Sequence, residues 1–401
     1  MSKEPLAILG GNPVRTTPMP ARKAFGTSEI DALNKVIAHY QHSESDPPYG
    51  GDFEQAYCNA FSEYMGGGYS VAVATGTASV FVALAALMLS KGQEVILSPV
   101  TDSGPLASII HQGYVPVIAD AAEDSYNSTW EQIEPLITDK TGAIILVHCA
   151  GIPTDVETIV TQAHQRGIKV IEDCSQAPGA RWNGQKVGGF GDIMATSTMY
   201  RKNIAAPGSG GIVYTKSQSL YHMALAHADR GKPVWQEGYA ERDPSLNLFP
   251  ALNWNTNELS CAVAHASLSR LDETITARNA VQNALIEWIN TQSTCCYVAK
   301  FSGSASPFFL QVFIREETLS VDKLTFCQAL QAEGVDLNPD YKFLISDWKW
   351  ALPYIKPPLS TPNTMSARDR SFNLYLNEQY TQQEVTDICA AIVKVEQHYA
   401  K

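Results

Sequence analysis

Between residues 69 and 215, short apolar runs alternate with stretches of helical period. "YSVAVATG" (69–76) leads into "TASVFVALAALML", "EVILSPV" (94–100) into a short helical piece, and "YVPVIAD" (114–120) into "TWEQIEPLI". "AIILVH" (143–148), the helical "PTDVETIVTQAHQRG" and "KVIEDCS" (169–175) follow, and "DIMATST" (192–198) and "GGIVYT" (210–215) complete the set. Continuous apolar runs separated by helices predict an α/β fold: a mostly parallel sheet covered on both faces, with its site at the carboxyl ends of the strands.

Local signals sharpen individual elements. The helix from 153 carries Pro153 in its first turn and Asp155 and Glu157 near its positive end, presents Val156, Ile159, Val160 and Ala163 as an apolar stripe, and stops at Gly167. "NTNELSCAVAHASLSRLDETITARNAVQNALIEWI" predicts one or two long helices bridging to a second body. From about 307 the pattern changes: "PFFLQVFI" predicts a strand, "VDKLTFCQALQAEG" a helix closed by Gly334, and "FNLYLN" another strand. Thr381 and Glu384 form a capping-box signature before a last helix with Val385, Ile388, Ile392 and Val395 on its inner face. "SDWKWALPYIKPPLSTPNTMSARD" is too rich in prolines and turn residues for a regular element and predicts a long loop. The division expected is an N-terminal arm and large domain over 1–252, a connecting helical region over 253–290 and a small α/β domain over 291–401.

A chain of 401 residues with 45% hydrophobic and 17% charged residues can bury one large core and a smaller one. Its net charge of −12 gives no average field for nucleic acid or an anionic membrane, so any phosphate must be held locally. The opening residues have no run long enough for a signal peptide, and no stretch reaches the roughly 18 apolar residues that span a bilayer. A cytoplasmic protein is the default expectation. The eight cysteines form no CxxC pair and have no histidine at finger spacing, which favours free thiols over a metal site or a disulfide framework. His148 beside Cys149 suggests a nucleophile pair only weakly, because adjacent strand residues point to opposite faces. GxGxxG followed by a helix is absent after the early strands, and "GGGYS" at 66 precedes its strand, so a nicotinamide-type fingerprint is not met.

Three stretches make chemical sense together. Gly76, Thr77, Ala78 and Ser79 lie between a strand and a helix, where small residues and free N–H groups can hold a phosphate or simply cap the helix. Glu172, Asp173 and Gln176 end an apolar strand; a carboxylate there can keep a pyridine nitrogen protonated, or serve as a turn residue. Lys202, in "YRKNIAAPGSGG", follows the next strand; unlike Arg201, it can lose its proton and become nucleophilic, although a lysine is more often solvated.

In their order and spacing, "GGNPVRTTPMP", "VAVATGTASV", "TGAIILVHCAGIPTDVETI", "VIEDCSQAPGARWNGQKVGGFGDI", "YRKNIAAPGSGGIVYT" and "ALNWNTNELSCAVAHASLSRLD" resemble the DegT/DnrJ/EryC1/StrS family, mostly sugar and cyclitol aminotransferases using pyridoxal 5'-phosphate. The resemblance covers nearly the whole chain and implies the fold type I architecture, a mostly parallel large domain with a smaller C-terminal α/β domain. It implies Lys202 as the Schiff-base lysine and Asp173 as the partner of the pyridine nitrogen. Gly76, Thr77, Ala78 and Ser197 would hold the phosphate, Gln176 would lie near the ring, and Asn253 would reach the phosphate of the neighbouring subunit in a homodimer. Pyridoxamine 5'-phosphate would be the intermediate form of the cofactor.

Departures from the family pattern cluster around the same place. Asp102 stands where an aromatic or bulky apolar residue usually covers the ring, Asn255 where arginine is common, Ser209 where an acidic residue is usual, and Thr196 and Thr198 in an otherwise aromatic run. With His148, residues Asp102, Thr196, Thr198 and Asn255 are the expected substrate-facing set, suited to a hydroxyl-bearing ketosugar or ketocyclitol. The resemblance thus implies transamination from glutamate or glutamine to a small polar ketone, in an amino-sugar or aminocyclitol pathway, with no metal. A dehydratase or elimination reaction on the same cofactor, and a cofactor-binding regulator without catalysis, are the alternatives.

Overall fold

The computed structural model describes residues 5–401; residues 1–4 of the predicted first domain lie outside the described residues. Two helices, α1 (Thr27–Gln41) and α2 (Asp52–Tyr64), follow an N-terminal arm and precede the large sheet. The sheet contains β1 (Tyr69–Val73), β2 (Glu94–Leu97), β3 (Val115–Ile118), β4 (Thr141–Val147) and β5 (Lys169–Asp173). A short ribbon of β6 (Arg181–Trp182) and β7 (Gln185–Lys186) separates these from β8 (Ile193–Ser197) and β9 (Gly211–Thr215). The strand order is β1-β9-β8-β5-β4-β2-β3, with β9 alone running against its neighbours.

The helices α3 (Gly76–Ala86), α4 (Ser103–His111), α5 (Trp130–Ile133), α6 (Val156–Gln165) and α7 (Gln218–Ala228) alternate with these strands. Strand alternation divides the interior into two cores. Ile171, Ile193, Ala195 and Val213 belong to one core, and Val170, Met194, Ile212 and Tyr214 to the other. The parity of each strand therefore decides which face its last residue joins.

The predicted long helical region forms α8 (Glu258–Leu268) and α9 (Leu271–Gln292). Leu271 belongs to a core under the large sheet, whereas Val281, Leu285 and Ile289 belong to a third core. That core lies around an antiparallel sheet of β10 (Cys296–Tyr297), β11 (Phe309–Ile314), β12 (Leu337–Asn338) and β13 (Ser371–Tyr375), in the order β10-β11-β13-β12. The helices α10 (Lys323–Ala332) and α12 (Gln382–Tyr399) pack on it. Thr381 Oγ1 and its N–H both meet Glu384, forming the capping box read from the sequence. Leu6 of the arm is fully buried in this third core.

Two local expectations are corrected. Asp155 caps the helix after Pro153 from outside, accepting from Thr158 N–H at 3.1 Å, so the helix begins at Val156. The loop predicted over 346–369 ends in the helix α11 (Pro362–Arg370), which runs one residue beyond it. Its first-turn donors are satisfied at long range: Asp120 accepts from the N–H groups of Asn363 and Thr364, both at 2.9 Å. No helix among the described residues is long and apolar enough to cross a membrane.

Candidate active site

The strand-to-helix turn after β1 is built for close approach. Thr75 caps α3 by accepting from Ala78 N–H at 2.9 Å, which occupies the Ala78 donor. The N–H groups of Gly76 and Thr77, in the first turn, have no intrahelical acceptor. A Cβ on Gly76 would lie 2.7 Å from Ser197 Oγ, and one on Gly211 would lie 2.3 Å from the Thr75 carbonyl oxygen. The Ser197 hydroxyl thus meets the first-turn N–H groups of Gly76 and Thr77 at a helix N-terminus, a donor set and polarity that suit a phosphate. Ala78, expected with them, contributes the cap instead of a free donor.

Asp173 ends β5 on the same side of the sheet as Ser197, since the register aligns Asp173 with Ala195. It is 4% exposed and accepts from Ser175 N–H at 3.0 Å. Burial raises its pKa above the ordinary carboxylate value, while the Ser175 hydrogen bonds and the nearby Lys202 pull it back. Lys202 lies in a turn closed by its own N–H to the Met199 carbonyl at 2.7 Å. Its Nζ lies 4.6 Å from the centre of the Phe308 ring. Burial of the ammonium pulls its pKa below that of an ordinary lysine, opposed first by Asp173 and then by Asp102. A primary amine biased toward its neutral form beside a buried carboxylate is equipped for nucleophilic attack and proton transfer.

Gln176 is 9% exposed and its Oε1 accepts from Ala150 N–H at 2.7 Å, holding Ala150 at φ +62°. The Tyr341 phenol, pushed well up by burial, lies close to the same amide. Tyr341 was not visible as a site residue in the sequence. It arrives because Thr101 N–H donates to the Phe343 carbonyl at 3.1 Å and Ile345 N–H to the Pro99 carbonyl at 3.0 Å, seating a small-domain segment on the end of β2.

Strand parity corrects three of the expected substrate-facing residues. His148, Thr196 and Thr198 are 0%, 0% and 1% exposed. Thr196 and Thr198 alternate with Ser197 and therefore turn away from it. His148 Nε2 lies 3.2 Å from Glu172 Oε2, and its Nδ1 accepts from Thr154 N–H at 3.3 Å. Glu172 also accepts from the N–H groups of Gly188, Phe190 and Gly191 at 2.6, 2.9 and 2.7 Å. Cys174 completes a group of metal-ligating types, but both Glu172 oxygens are engaged and burial keeps the Cys174 thiol protonated. This group braces the loop between β7 and β8.

Of the remaining expected residues, Asp102 and Asn253 are exposed and Asn255 is half-buried. Asp102 caps α4 through one oxygen, which accepts from Gly104 N–H at 3.1 Å. Asn253 is exposed; its Oδ1 accepts from Asn255 N–H at 3.0 Å and from Asn255 Nδ2 at 2.9 Å.

A Micromonospora echinospora protein assigned as an L-glutamine:3-amino-2,3-dideoxy-scyllo-inosose aminotransferase is 32% identical over 286 residues, 70% of this chain and 66% of its own. The GDP-perosamine synthase of Escherichia coli O157:H7 is 32% identical over 241 residues, 60% of this chain and 64% of its own. The matched stretches thus span just under two thirds of these relatives. The crystal structure of an aminotransferase from Psychrobacter cryohalolentis superposes with a TM-score of 0.87 at 26% identity, covering 95% of this chain and 100% of that one. Residues 29–393 match a single family throughout, and the chain belongs to the DegT/DnrJ/EryC1/StrS aminotransferase family.

Proposed function

We propose that this protein is a pyridoxal 5'-phosphate-dependent aminotransferase that takes an amino group from glutamate or glutamine and delivers it to a ketosugar or ketocyclitol. The observation that carries this reading is the convergence of a half-buried Lys202, a buried Asp173 and the Gly76–Thr77–Ser197 donors at one edge of the sheet. These residues fit the cofactor group by group: an anion seat, a carboxylate for a protonated ring nitrogen and a primary amine for an aldehyde. When bound, the cofactor supplies a reactive aldehyde and a ring that draws electrons from the carbon bearing the transferred amine. Lys202 Nζ would bind the aldehyde at rest, and after release would carry the proton between donor and cofactor carbons. Asp173 would hold the ring proton, and the phosphate seat would keep the distances short enough for those transfers.

The relatives' names pair glutamine with an inosose and support the donor and acceptor classes proposed here. Asp102, exposed at the surface, and the half-buried Asn255 are the remaining candidates for reading a substrate hydroxyl or amine. The exposed Asn253 suits a contact with the phosphate of a second subunit in a homodimer, and N253A is expected to weaken phosphate retention modestly.

Adding glutamate or glutamine to the holoenzyme should discharge its pyridoxal absorbance, and a ketosugar or ketocyclitol should restore it. Borohydride should attach the cofactor to residue 202, and K202A should lose that linkage. Absence of a spectral change with every amino donor tried would overturn the transaminase reading.

A further inference from the structure

The motif "GGNPVRTTPMP" at the start of the chain has no part in the chemistry described above. In the structure it belongs to an arm tied to the small domain. Ala7 and Val14 N–H groups donate to the two oxygens of Glu333 at 2.8 and 3.0 Å, and Lys394 Nζ reaches the same carboxylate at 2.9 Å. Glu333 is 0% exposed. A Cβ on Gly11 would lie 1.9 Å from the Pro5 carbonyl oxygen, so the arm's hairpin needs glycine there. Arg15 adds ion pairs to Asp387 and Glu384 at 2.7 and 3.0 Å.

From this anchorage the arm delivers Arg22 to the back of the lysine turn. Arg22 Nη1 donates to the carbonyl oxygens of Lys202 at 2.6 Å and Tyr200 at 2.9 Å, and Nη2 to that of Asn203 at 3.4 Å. Its Nε donates to Glu378 Oε1 at 3.1 Å. The other Glu378 oxygen accepts from Arg278 Nε and Nη2 at 3.0 and 2.8 Å. Arg278, 2% exposed, also donates to Asn203 Oδ1 at 2.6 Å, and Asn203 Nδ2 donates to Ser306 Oγ at 2.8 Å. Burial works against ionisation of Glu378, yet Arg278 and Arg22 hold it below the usual carboxylate range.

We infer that Arg22, with Glu378 behind it, is a positioning residue for Lys202, so that the N-terminal arm sets the reactivity of the amine. The inference rests on the assignment of Lys202 as the reacting group. A lysine side chain has four flexible torsions, and its amine reaches a defined place only if its main chain is held. Three carbonyls of the lysine turn gripped by one planar guanidinium provide that hold, and a single ammonium could satisfy only part of it. None of the hydrogen bonds named for this grip involves Gly76, Thr77, Ser197 or Asp173, so its loss acts on the placement of Nζ.

The test uses the full-length holoenzyme with R22M, R22K and E378Q. Single-turnover discharge of the pyridoxal absorbance is followed against donor concentration, beside the thermal midpoint and borohydride capture at residue 202. R22M is expected to slow the step at saturating donor by ~10–100-fold, as a displacement of about 1 Å would, with donor half-saturation changed less than about twofold. R22K should recover part of the rate, and E378Q should lose less than R22M in the same direction. Wild-type rates at saturating donor in R22M and E378Q overturn the inference, as does a loss confined to the thermal midpoint or to half-saturation. Should R22M fail to fold, E378Q decides. If the wild-type protein itself gives no borohydride adduct at 202, the assignment of Lys202 falls and this inference with it; an adduct at 202 with unaffected variants sinks the inference alone.

Discussion

Gly76 and Ser197 meet so closely that a Cβ on Gly76 would lie 2.4 Å from the Ser197 Cβ. The contact joins the first turn of α3 to the end of β8, and a substituent there would occupy the space between the two groups proposed to hold a phosphate. G76A should cost ~1–3 kcal/mol through overpacking, because a Ser197 backbone atom as well as its side chain must shift. Titration of the apoprotein with pyridoxal 5'-phosphate should show weakened binding beyond that loss of stability. Unchanged affinity would remove Gly76 from the anion seat.

Asp173 and Lys202 oppose one another's shifts. Burial lowers the Lys202 pKa, and Asp173 is the first of the groups that raise it. D173N should therefore let Lys202 deprotonate at still lower pH, which the pH dependence of amine labelling at residue 202 in the apoprotein would detect. Transamination should nevertheless fall by ~10²-fold or more, since the ring proton loses its anion. A labelling midpoint that moves upward would contradict the described pairing.

Glu54 offers a separate pH test. It is 8% exposed, and burial, with a contribution from Glu258, pushes its pKa up to about 7. A carboxyl whose folded pKa is raised stabilises the fold fully below its unfolded value, and that contribution is lost as pH rises toward about 7. E54Q removes the titration, so its stability relative to wild type should increase between pH about 4.5 and about 7, by at most ~3 kcal/mol. Denaturation at several pH values measures the difference, and a flat difference would count against a protonated Glu54.

His148 was expected to face substrate and instead supports Glu172 inside the opposite core face. H148A should destabilise the protein by ~3 kcal/mol, because it leaves a buried carboxylate with one partner fewer. Donor half-saturation of the folded fraction should stay within about twofold of wild type. A large change in donor or ketone selectivity at unchanged stability would restore the substrate-facing role.

Chain-local physics made much of this protein readable before folding. Apolar runs of strand length announced the sheet, Thr381 and Glu384 announced their own helix, and small residues after β1 announced a turn that tolerates close approach, because each signal is satisfied within a few residues. Lys202 and Asp173 were legible as residue types at strand ends, and a parallel sheet gathers its strand ends at one edge.

Tertiary structure decided the rest. Whether His148, Thr196 or Thr198 meets substrate depends on the parity at which each strand enters its core, and a shift of one residue reverses the face. The helix at 362 exists because Asp120, far away in the chain, supplies the acceptors its first turn lacks. Tyr341 and Arg22 reach the site on segments anchored by other parts of the fold, and the Arg22 contact to Lys202 spans 180 positions. Partnerships of that separation leave no periodicity along a sequence; they arise only when packing brings donor and acceptor together and water is expelled from between them.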